Sequence, residues 1–222
     1  MKRNLFVIVY VFAGLLVSCT SNEEKADKLI KQYMFENLYD YQSYEPTKTQ
    51  VDTLYSDVFL DKDVIAIAYR AYDCLNKVAE HMEKAEDIKE EVERMEQLLG
   101  RNSFAKTRID MLKNKYEENI SKANKMKKEA FYNLLYILDA NYKAKQIKEE
   151  MLGWKVTHKF RCNTRGGYLS LGEYVFLVDR DFTEIFDTII YDEEYLTAKE
   201  MINVALQSDR DAILTEIQNL EE

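Results

Sequence analysis

The chain has 222 residues, a formal net charge of −9, one proline and six glycines, and 12% of its residues are aromatic. This aromatic content excludes a disordered chain, and so few turn residues disfavour an all-β sandwich or a propeller. The negative charge disfavours nucleic-acid binding through bulk electrostatics, so we expect no nucleic-acid partner.

The N-terminus carries the features of a bacterial lipoprotein signal. Two basic residues precede an uncharged stretch over residues 5–17, which would span about 20 Å as a helix, too short for the ~30 Å bilayer core. The sequence Leu16-Val17-Ser18-Cys19 then resembles a lipobox, whose cysteine receives acyl chains such as palmitate. We predict a signal peptide over residues 1–18, a single mature domain over residues 19–222 and a membrane anchor on Cys19. An ordinary secretory peptide with a nearby cysteine is the alternative.

Three helical patterns follow. Apolar residues recur at three- and four-residue steps over residues 23–41, and the stretch 43–51 around Pro46 interrupts them. Two longer patterns cover residues 64–99 and 103–151, separated by a turn at Gly100. Their narrow, heptad-like seams predict an antiparallel coiled-coil hairpin. The predicted seam consists of Val78, Met82, Ala85, Ile88, Val92, Met95 and Leu99 in the first arm and of Ile109, Leu112, Tyr116, Ile120, Ala123, Met126 and Ala130 in the second.

Charge supports this pairing of the two arms. Residues 76–99 carry a net charge of −4 and residues 106–128 a net charge of +5, so unlike flanks face each other in an antiparallel hairpin. The alternative is two solvated faces with an accidental bias. The sequence near the open end is apolar on several sides and should be covered by other elements, whereas residues 76–128 are expected to project as an arm.

The last third of the chain predicts a small sheet. Residues 154–162 alternate between apolar and polar, which is typical of a half-buried strand, and further strands are expected near residues 173–178 and 184–191. Short connections make this a three-stranded antiparallel meander over residues 152–192, followed by helix from Thr197. The predicted fold is therefore α+β and mainly α: a long helical hairpin packed at its base on the meander and on N- and C-terminal helices.

No motif for catalysis, metal binding or cofactor binding is present, so we expect no catalytic residues, no metal and no cofactor. His81 lies in the charged arm and is expected to be solvated. His158 lies on the apolar face of the first predicted strand, where it is either a hydrogen-bonded core residue or, with Trp154 and Phe160, part of a ligand-binding cleft. Cys74 and Cys162 are either joined by a disulfide or two free thiols.

The lipobox and several other stretches together resemble uncharacterised lipoproteins of the Bacteroidetes. These stretches are Leu38 to Pro46, His158 to Asn163, Gly166-Gly167 and Phe176 to Asp179. The resemblance implies the bacterial cell envelope, as an outer-membrane lipoprotein on the periplasmic face or the cell surface, and implies no activity.

Two hypotheses for function follow from these features. The first is a non-enzymatic interaction or scaffold module, tethered to the membrane through Cys19, whose arm contacts another protein or a second copy of the chain. The alternative is a small-ligand-binding envelope protein with a cleft between the meander and the helices.

Overall fold

The computed structural model describes residues 21–99, 103–147 and 150–221, without the side chains of residues 98, 99, 103 and 104. The predicted signal peptide, Cys19 and the turn at Gly100 lie outside the described residues. The described chain forms two compact units. We call residues 21–54 and 152–190 the sheet unit, and residues 55–151 and 191–221 the helical unit. Both lie within the residues for which a single mature domain is expected.

The sheet unit contains one helix and four strands. Helix α1 covers Asn22–Asn37 and a short 3-10 turn covers Tyr41–Ser43. The strands are β1 (Glu45–Leu54), β2 (Gly153–Asn163), β3 (Leu169–Val178) and β4 (Ile185–Ile190). They form one antiparallel sheet in the order β1-β2-β3-β4.

The predicted meander is confirmed as β2, β3 and β4, but the expected total of three strands is wrong. The stretch around Pro46 was expected to be an interruption and instead belongs to β1, which pairs antiparallel with β2. Pro46 is tolerated because β1 is an edge strand, and the register shifts between Pro46 and Lys48. Most of β1 is exposed and polar, so it lacks the apolar alternation by which a strand is recognised in a sequence.

Helix α1 closes one face of the sheet. Its N-cap is Ser21, whose hydroxyl accepts a hydrogen bond from the Glu24 amide at 3.2 Å. Residues spaced four apart form its apolar stripe, which packs on side chains from the centre of the sheet. The buried cluster comprises Ala26, Ile30 and Met34 of α1 with Val156, Phe160, Phe176 and Val178.

Two glycines let this unit pack closely. A Cβ on Gly172 would lie 2.3 Å from Cζ of Phe160, so only a glycine leaves room here for the fully buried phenyl ring. A Cβ on Gly153 would lie 2.2 Å from the carbonyl oxygen of Val178. Gly153 is the first residue of β2, and its missing side chain permits this close approach to β3.

The helical unit contains the predicted hairpin. Helix α2 covers Lys62–Leu99 and helix α3 covers Ser103–Gln146. Contacts across them, such as Glu91 with Arg108 and His81 with Asn119, show that the two helices are antiparallel. Small residues in the seam allow the backbones to approach closely. Those at most 2% exposed are Ala68, Ala71, Ala85, Ala105, Ala123 and Ala130.

The side chain of the predicted seam residue Leu99 lies outside the described ones, and among the others one prediction is wrong. Met82 is 47% exposed, whereas His81 occupies the seam half-buried, with its Nδ1 atom 3.1 Å from Oδ1 of Asn119. Both positions fit a step of three or four residues between Val78 and Ala85, so the periodicity cannot separate them. The predicted solvated role of His81 is corrected accordingly.

The C-terminal helices cover the base of the hairpin. Helix α4 covers Glu193–Gln207 and is capped by Asp192 rather than by the predicted Thr197, and helix α5 covers Arg210–Asn219. Their buried residues Ala198, Ile202, Ala205, Ile213 and Ile217 join one core with Val64, Ala68, Leu134 and Ile137. Helix α5 also lies beside α3, through an ion pair of Lys127 with Glu216, and Glu221 just after α5 pairs with Lys128. The predicted arm 76–128 is thus covered along part of its second helix, and the α+β, mainly α class is confirmed.

Candidate functional site

A chain of four polar side chains runs through the sheet unit. The Tyr44 hydroxyl lies 2.7 Å from Nε2 of His158, and Nδ1 of His158 lies 3.0 Å from Oγ1 of Thr49. The Thr49 hydroxyl donates to Oδ1 of Asp27 at 2.7 Å. Because Thr49 has a single hydroxyl proton and gives it to Asp27, it accepts from His158. His158 is therefore the Nδ1–H tautomer, and its Nε2 accepts from the Tyr44 hydroxyl.

Three elements of the sheet unit, together with the residue that precedes β1, supply these side chains. His158 lies near the middle of β2 and is 1% exposed, and Thr49 of β1 is its register partner. Asp27 lies on the exposed side of α1, next to the buried Ala26, and Tyr44 immediately precedes β1. A buried imidazole needs partners for both ring nitrogens, and the arrangement provides both. The alternative of a hydrogen-bonded core histidine is thus the one that describes His158.

Burial keeps His158 and Tyr44, the inner members of this hydrogen-bonded series, uncharged. It lowers the pKa of His158 below 6.5, an effect that the nearby Asp27 partly opposes. Burial, followed by the neighbouring Tyr41 and Asp27, raises the pKa of Tyr44 to about 12. At neutral pH both rings are therefore neutral. The arrangement holds protons in fixed positions but has no reacting group exposed at its centre.

The predicted ligand residues do not form a cleft. Phe160 is 2% exposed and His158 1%, so neither can contact a ligand in this state. Trp154 stacks on Phe182 with ring centroids 5.3 Å apart, and its indole N–H donates to the carbonyl oxygen of Arg180 at 2.9 Å. The cleft expected between the meander and the helices is filled by α1 on this face of the sheet. The set Trp154, His158 and Phe160 is therefore corrected to two core residues and one residue at the edge of the core.

A groove of about 450 Å³ lies instead between α1 and the start of β1. Its walls carry both charges, with ammonium groups and carboxylates facing the same space. The lining residues are Glu23, Asp27, Lys28, Lys31, Tyr44, Pro46, Thr47, Lys48 and Thr49. Three of them belong to the polar chain around His158, so the buried histidine supports one wall of the groove.

Sequence reasoning missed Tyr44, Thr49 and Asp27. Tyr44 and Thr49 are 114 and 109 residues away from His158 in the chain. They meet it only because β1 pairs with β2, and β1 itself was not predicted. The local sequence around Asp27 is an ordinary charged helix face. A signal exists only in the sheet register, which places Thr49 opposite His158.

The two cysteines of the described chain are free, so no disulfide joins them. Cys74 is buried in α2, and burial, followed by the carboxylates of Glu129 and Asp73, raises its pKa. Cys162 is half-buried on β2, where burial and Asp40 raise its pKa. Of the two possibilities that the sequence left open, the structure has two free thiols, and their raised pKa values disfavour nucleophilic roles.

The hairpin of the helical unit carries ion pairs between its two arms and a group of exposed carboxylates. Arg108 pairs with Glu91 at 3.3 Å and Lys113 with Glu96 at 3.0 Å, which are the unlike-charge contacts between the two arms that were predicted. A second group, Glu83, Asp87 and Glu90, lies on one exposed face of α2 at helical spacing. Within the described part of the chain no cation pairs with these three carboxylates. We call Glu83, Asp87 and Glu90 the acidic stripe.

Among residues 21–99, 103–147 and 150–221, no cluster of three histidine, cysteine or acidic side chains has the geometry of a metal site. No helix in these ranges has the length and apolar character to span a bilayer. No protein-family model, curated protein or solved structure matches the chain. The resemblance to lipoproteins of the Bacteroidetes stays a prediction.

Proposed function

We propose that this protein is a lipid-anchored, non-enzymatic interaction module of the bacterial cell envelope, whose hairpin contacts a protein partner. The observation that carries the proposal is that the outer part of the hairpin has its own apolar core. Val92, Ile109 and Leu112 are buried there, with Ile88 and Met95 packed against them. Two helices with a closed seam keep their structure while their outer faces stay available for a partner.

The outer faces have the chemistry of a binding surface. The acidic stripe offers three carboxylates that no intramolecular ion pair neutralises within the described chain. Met82 and Met111 are 47% and 53% exposed on the same part of the hairpin. Exposed methionines are adaptable apolar contacts. These features favour a partner with basic groups around an apolar centre, because electrostatic complementarity guides association.

The anchor in this proposal is the acylated Cys19. It is supported by the basic start of the chain, the short apolar segment and the lipobox, which occur in the order of a lipoprotein signal. Acyl chains contribute about 0.8 kcal/mol per buried methylene, so two or three chains hold a folded domain at a membrane.

The test shortens the hairpin without changing its register. Residues 82–88 and 112–118 are deleted together, which removes seven residues from each arm and shortens the hairpin by about 10 Å. The pair His81–Asn119 and the pair Val92–Ile109 remain opposite each other. A photo-crosslinking residue at Met111 is expected to capture a discrete partner on intact cells in the full-length chain and to lose it in the shortened one.

Two controls keep this test specific. The same crosslinker at Tyr142, which is 66% exposed outside the predicted arm, should not capture this partner. Reversal of the acidic stripe to lysine should weaken capture from Met111 in the full-length chain. Undiminished capture in both the shortened and the charge-reversed chains would refute a role of the hairpin.

The groove beside α1 favours a second candidate function, the binding of a small polar ligand. Its volume of about 450 Å³ fits a ligand the size of a sugar, and Lys31, Lys48 and Asp27 offer both donors and acceptors. Thermal-shift screening against neutral and acidic sugars tests this. A shift in the native chain that is lost in the Lys31→Ala, Lys48→Ala variant supports it, and an equal shift in both excludes it.

A further inference from the structure

The distance between the predicted anchor and the first helix is very short. Only Thr20 separates Cys19 from Ser21, the N-cap of α1. Two peptide units span at most about 7 Å. If Cys19 carries acyl chains that are inserted in a bilayer, Ser21 must lie within that distance of the headgroup layer.

From this restriction we infer that one end of the sheet unit, where α1 begins, lies against the headgroups of a zwitterionic lipid surface. The inference rests on the proposed lipid anchor and adds an orientation and a contact surface to it. We call this end, formed by Lys25, Trp154, Arg180 and Phe182, the tether end.

The contacts of the tether end follow from the start of α1. Lys25 lies one turn after Ser21, and its amide donates to the Ser21 carbonyl oxygen at 3.1 Å. Its Nζ atom lies 5.7 Å from the ring centroid of Phe182, which stacks on Trp154 at 5.3 Å with the ring planes 21° apart. An aromatic ring with a polar atom, as in Trp154, flanked by a lysine, is a combination that favours the membrane–water interface.

The backbone at Phe182 is held in an unusual conformation. Its φ of 57° makes it the one residue other than glycine with a positive φ among the described residues. The Asp179 carboxylate holds the turn by accepting from the Thr183 amide at 2.6 Å, the Thr183 hydroxyl at 2.7 Å and the Glu184 amide at 2.9 Å. This turn places the phenyl ring on Trp154. The positive φ of Phe182 has a cost in conformational energy, which the usual residues of such turns would avoid.

Charge selects the kind of lipid surface. The exposed segment Glu23-Glu24-Lys25 carries a net charge of −1, and the exposed pair Arg180-Asp181 is neutral. A strongly anionic bilayer would repel these carboxylates, since the surface potential acts within about a Debye length. A zwitterionic surface such as phosphatidylcholine or phosphatidylethanolamine imposes no such cost.

The sheet unit also provides a distant reference point. Tyr168 is 78% exposed in the β2–β3 turn, at the opposite end of β2 from Trp154. The eleven residues of β2, at about 3.3 Å each, separate the two ends by roughly 35 Å. A residue at Tyr168 is therefore out of reach of lipids when the tether end faces the bilayer.

Trp154 is the single tryptophan of the chain and so reports its own distance from the bilayer. The experiment reconstitutes the acylated, full-length mature protein in phosphatidylcholine vesicles with brominated acyl chains, which quench tryptophan emission at short range. We expect about a twofold loss of Trp154 emission, and no loss in the Trp154→Phe, Tyr168→Trp variant. A spacer of about twenty Gly and Ser residues between Thr20 and Ser21 leaves all native contacts in place and should reduce quenching, because its reach of more than about 20 Å no longer holds Ser21 at the headgroups.

Vesicle flotation separates failure of this inference from failure of the proposed anchor. The native chain should float with the vesicles and the Cys19→Ser chain should not. If the native chain does not float, the anchor itself is refuted. If it floats but Trp154 is unquenched, or the tryptophan at position 168 is quenched equally, or the spacer changes nothing, the orientation is refuted.

Discussion

Replacement of Thr49 by valine tests the polar chain around His158. Valine keeps the shape of threonine and removes the hydroxyl, so Nδ1–H of His158 loses its acceptor. The imidazole cannot escape this by changing its tautomer, since a proton on Nε2 would leave Nδ1 as a buried acceptor without a donor. The change therefore isolates one buried hydrogen bond.

The expected loss of stability follows from burial. A buried donor without a partner costs about 1–3 kcal/mol, and His158 is 1% exposed. Asp27 is exposed and exchanges its lost bond for water, so it adds little. The methyl group that valine adds at position 49 is half-buried, so its hydrophobic contribution to the free energy of unfolding is less than about 0.8 kcal/mol. We expect Thr49→Val to lower the free energy of unfolding by about 1–2 kcal/mol.

The matched control is Thr53→Val in the same strand. Thr53 is exposed, so the same chemical change should alter the free energy of unfolding by less than about 0.5 kcal/mol. Urea unfolding followed by Trp154 fluorescence measures both variants, because that residue lies in the sheet unit. Equal stabilities of the two variants would show that the hydroxyl at Thr49 does not hold His158.

Three further predictions concern pH, packing and the thiols. Burial lowers the pKa of His158 in the folded chain, so its contribution to stability is complete above about pH 6.5 and is lost as the pH falls below that value. Urea unfolding between pH 5 and pH 8 measures this dependence. An unchanged slope of the unfolding free energy against pH in the His158→Phe variant would contradict it. Gly172→Ala should destabilise the fold by about 1–3 kcal/mol through its clash with Phe160, whereas Gly166→Ala, which meets the exposed ring of Tyr168 and the hydroxyl of Thr164, should melt near the native temperature. Non-reduced protein lacking Cys19 should take up two iodoacetamide groups in denaturant, since Cys74 and Cys162 are free; zero uptake would demonstrate a disulfide.

The hairpin was predictable because its information is local. A heptad pattern continued over many turns fixes which side of each helix is apolar, and opposite net charges on the two arms favour pairing within the hairpin. The same locality limits the prediction at single positions. His81 and Met82 fit the period equally well, and the half-buried contact with Asn119 distinguishes them.

The candidate site could not be predicted in the same way. Its histidine was visible on the apolar face of a strand, but its partners come from a helix and an edge strand more than 100 residues earlier. The polar sequence of β1 has no periodicity that marks it as a strand. Its pairing with β2 supplies the hydrogen bonds that make it one.

By itself, the sequence determined the α+β class, the antiparallel hairpin and the three-stranded part of the sheet, because each depends on short periodic patterns and on nearby turn residues. The tertiary structure alone decided that α1 fills the face on which a cleft was expected, that Phe160 packs on Gly172, and that Tyr44, Thr49 and Asp27 hold His158. These outcomes depend on which distant surfaces fit together when both are buried. Complementarity of that kind is a property of two segments jointly, and neither segment carries it in its own pattern.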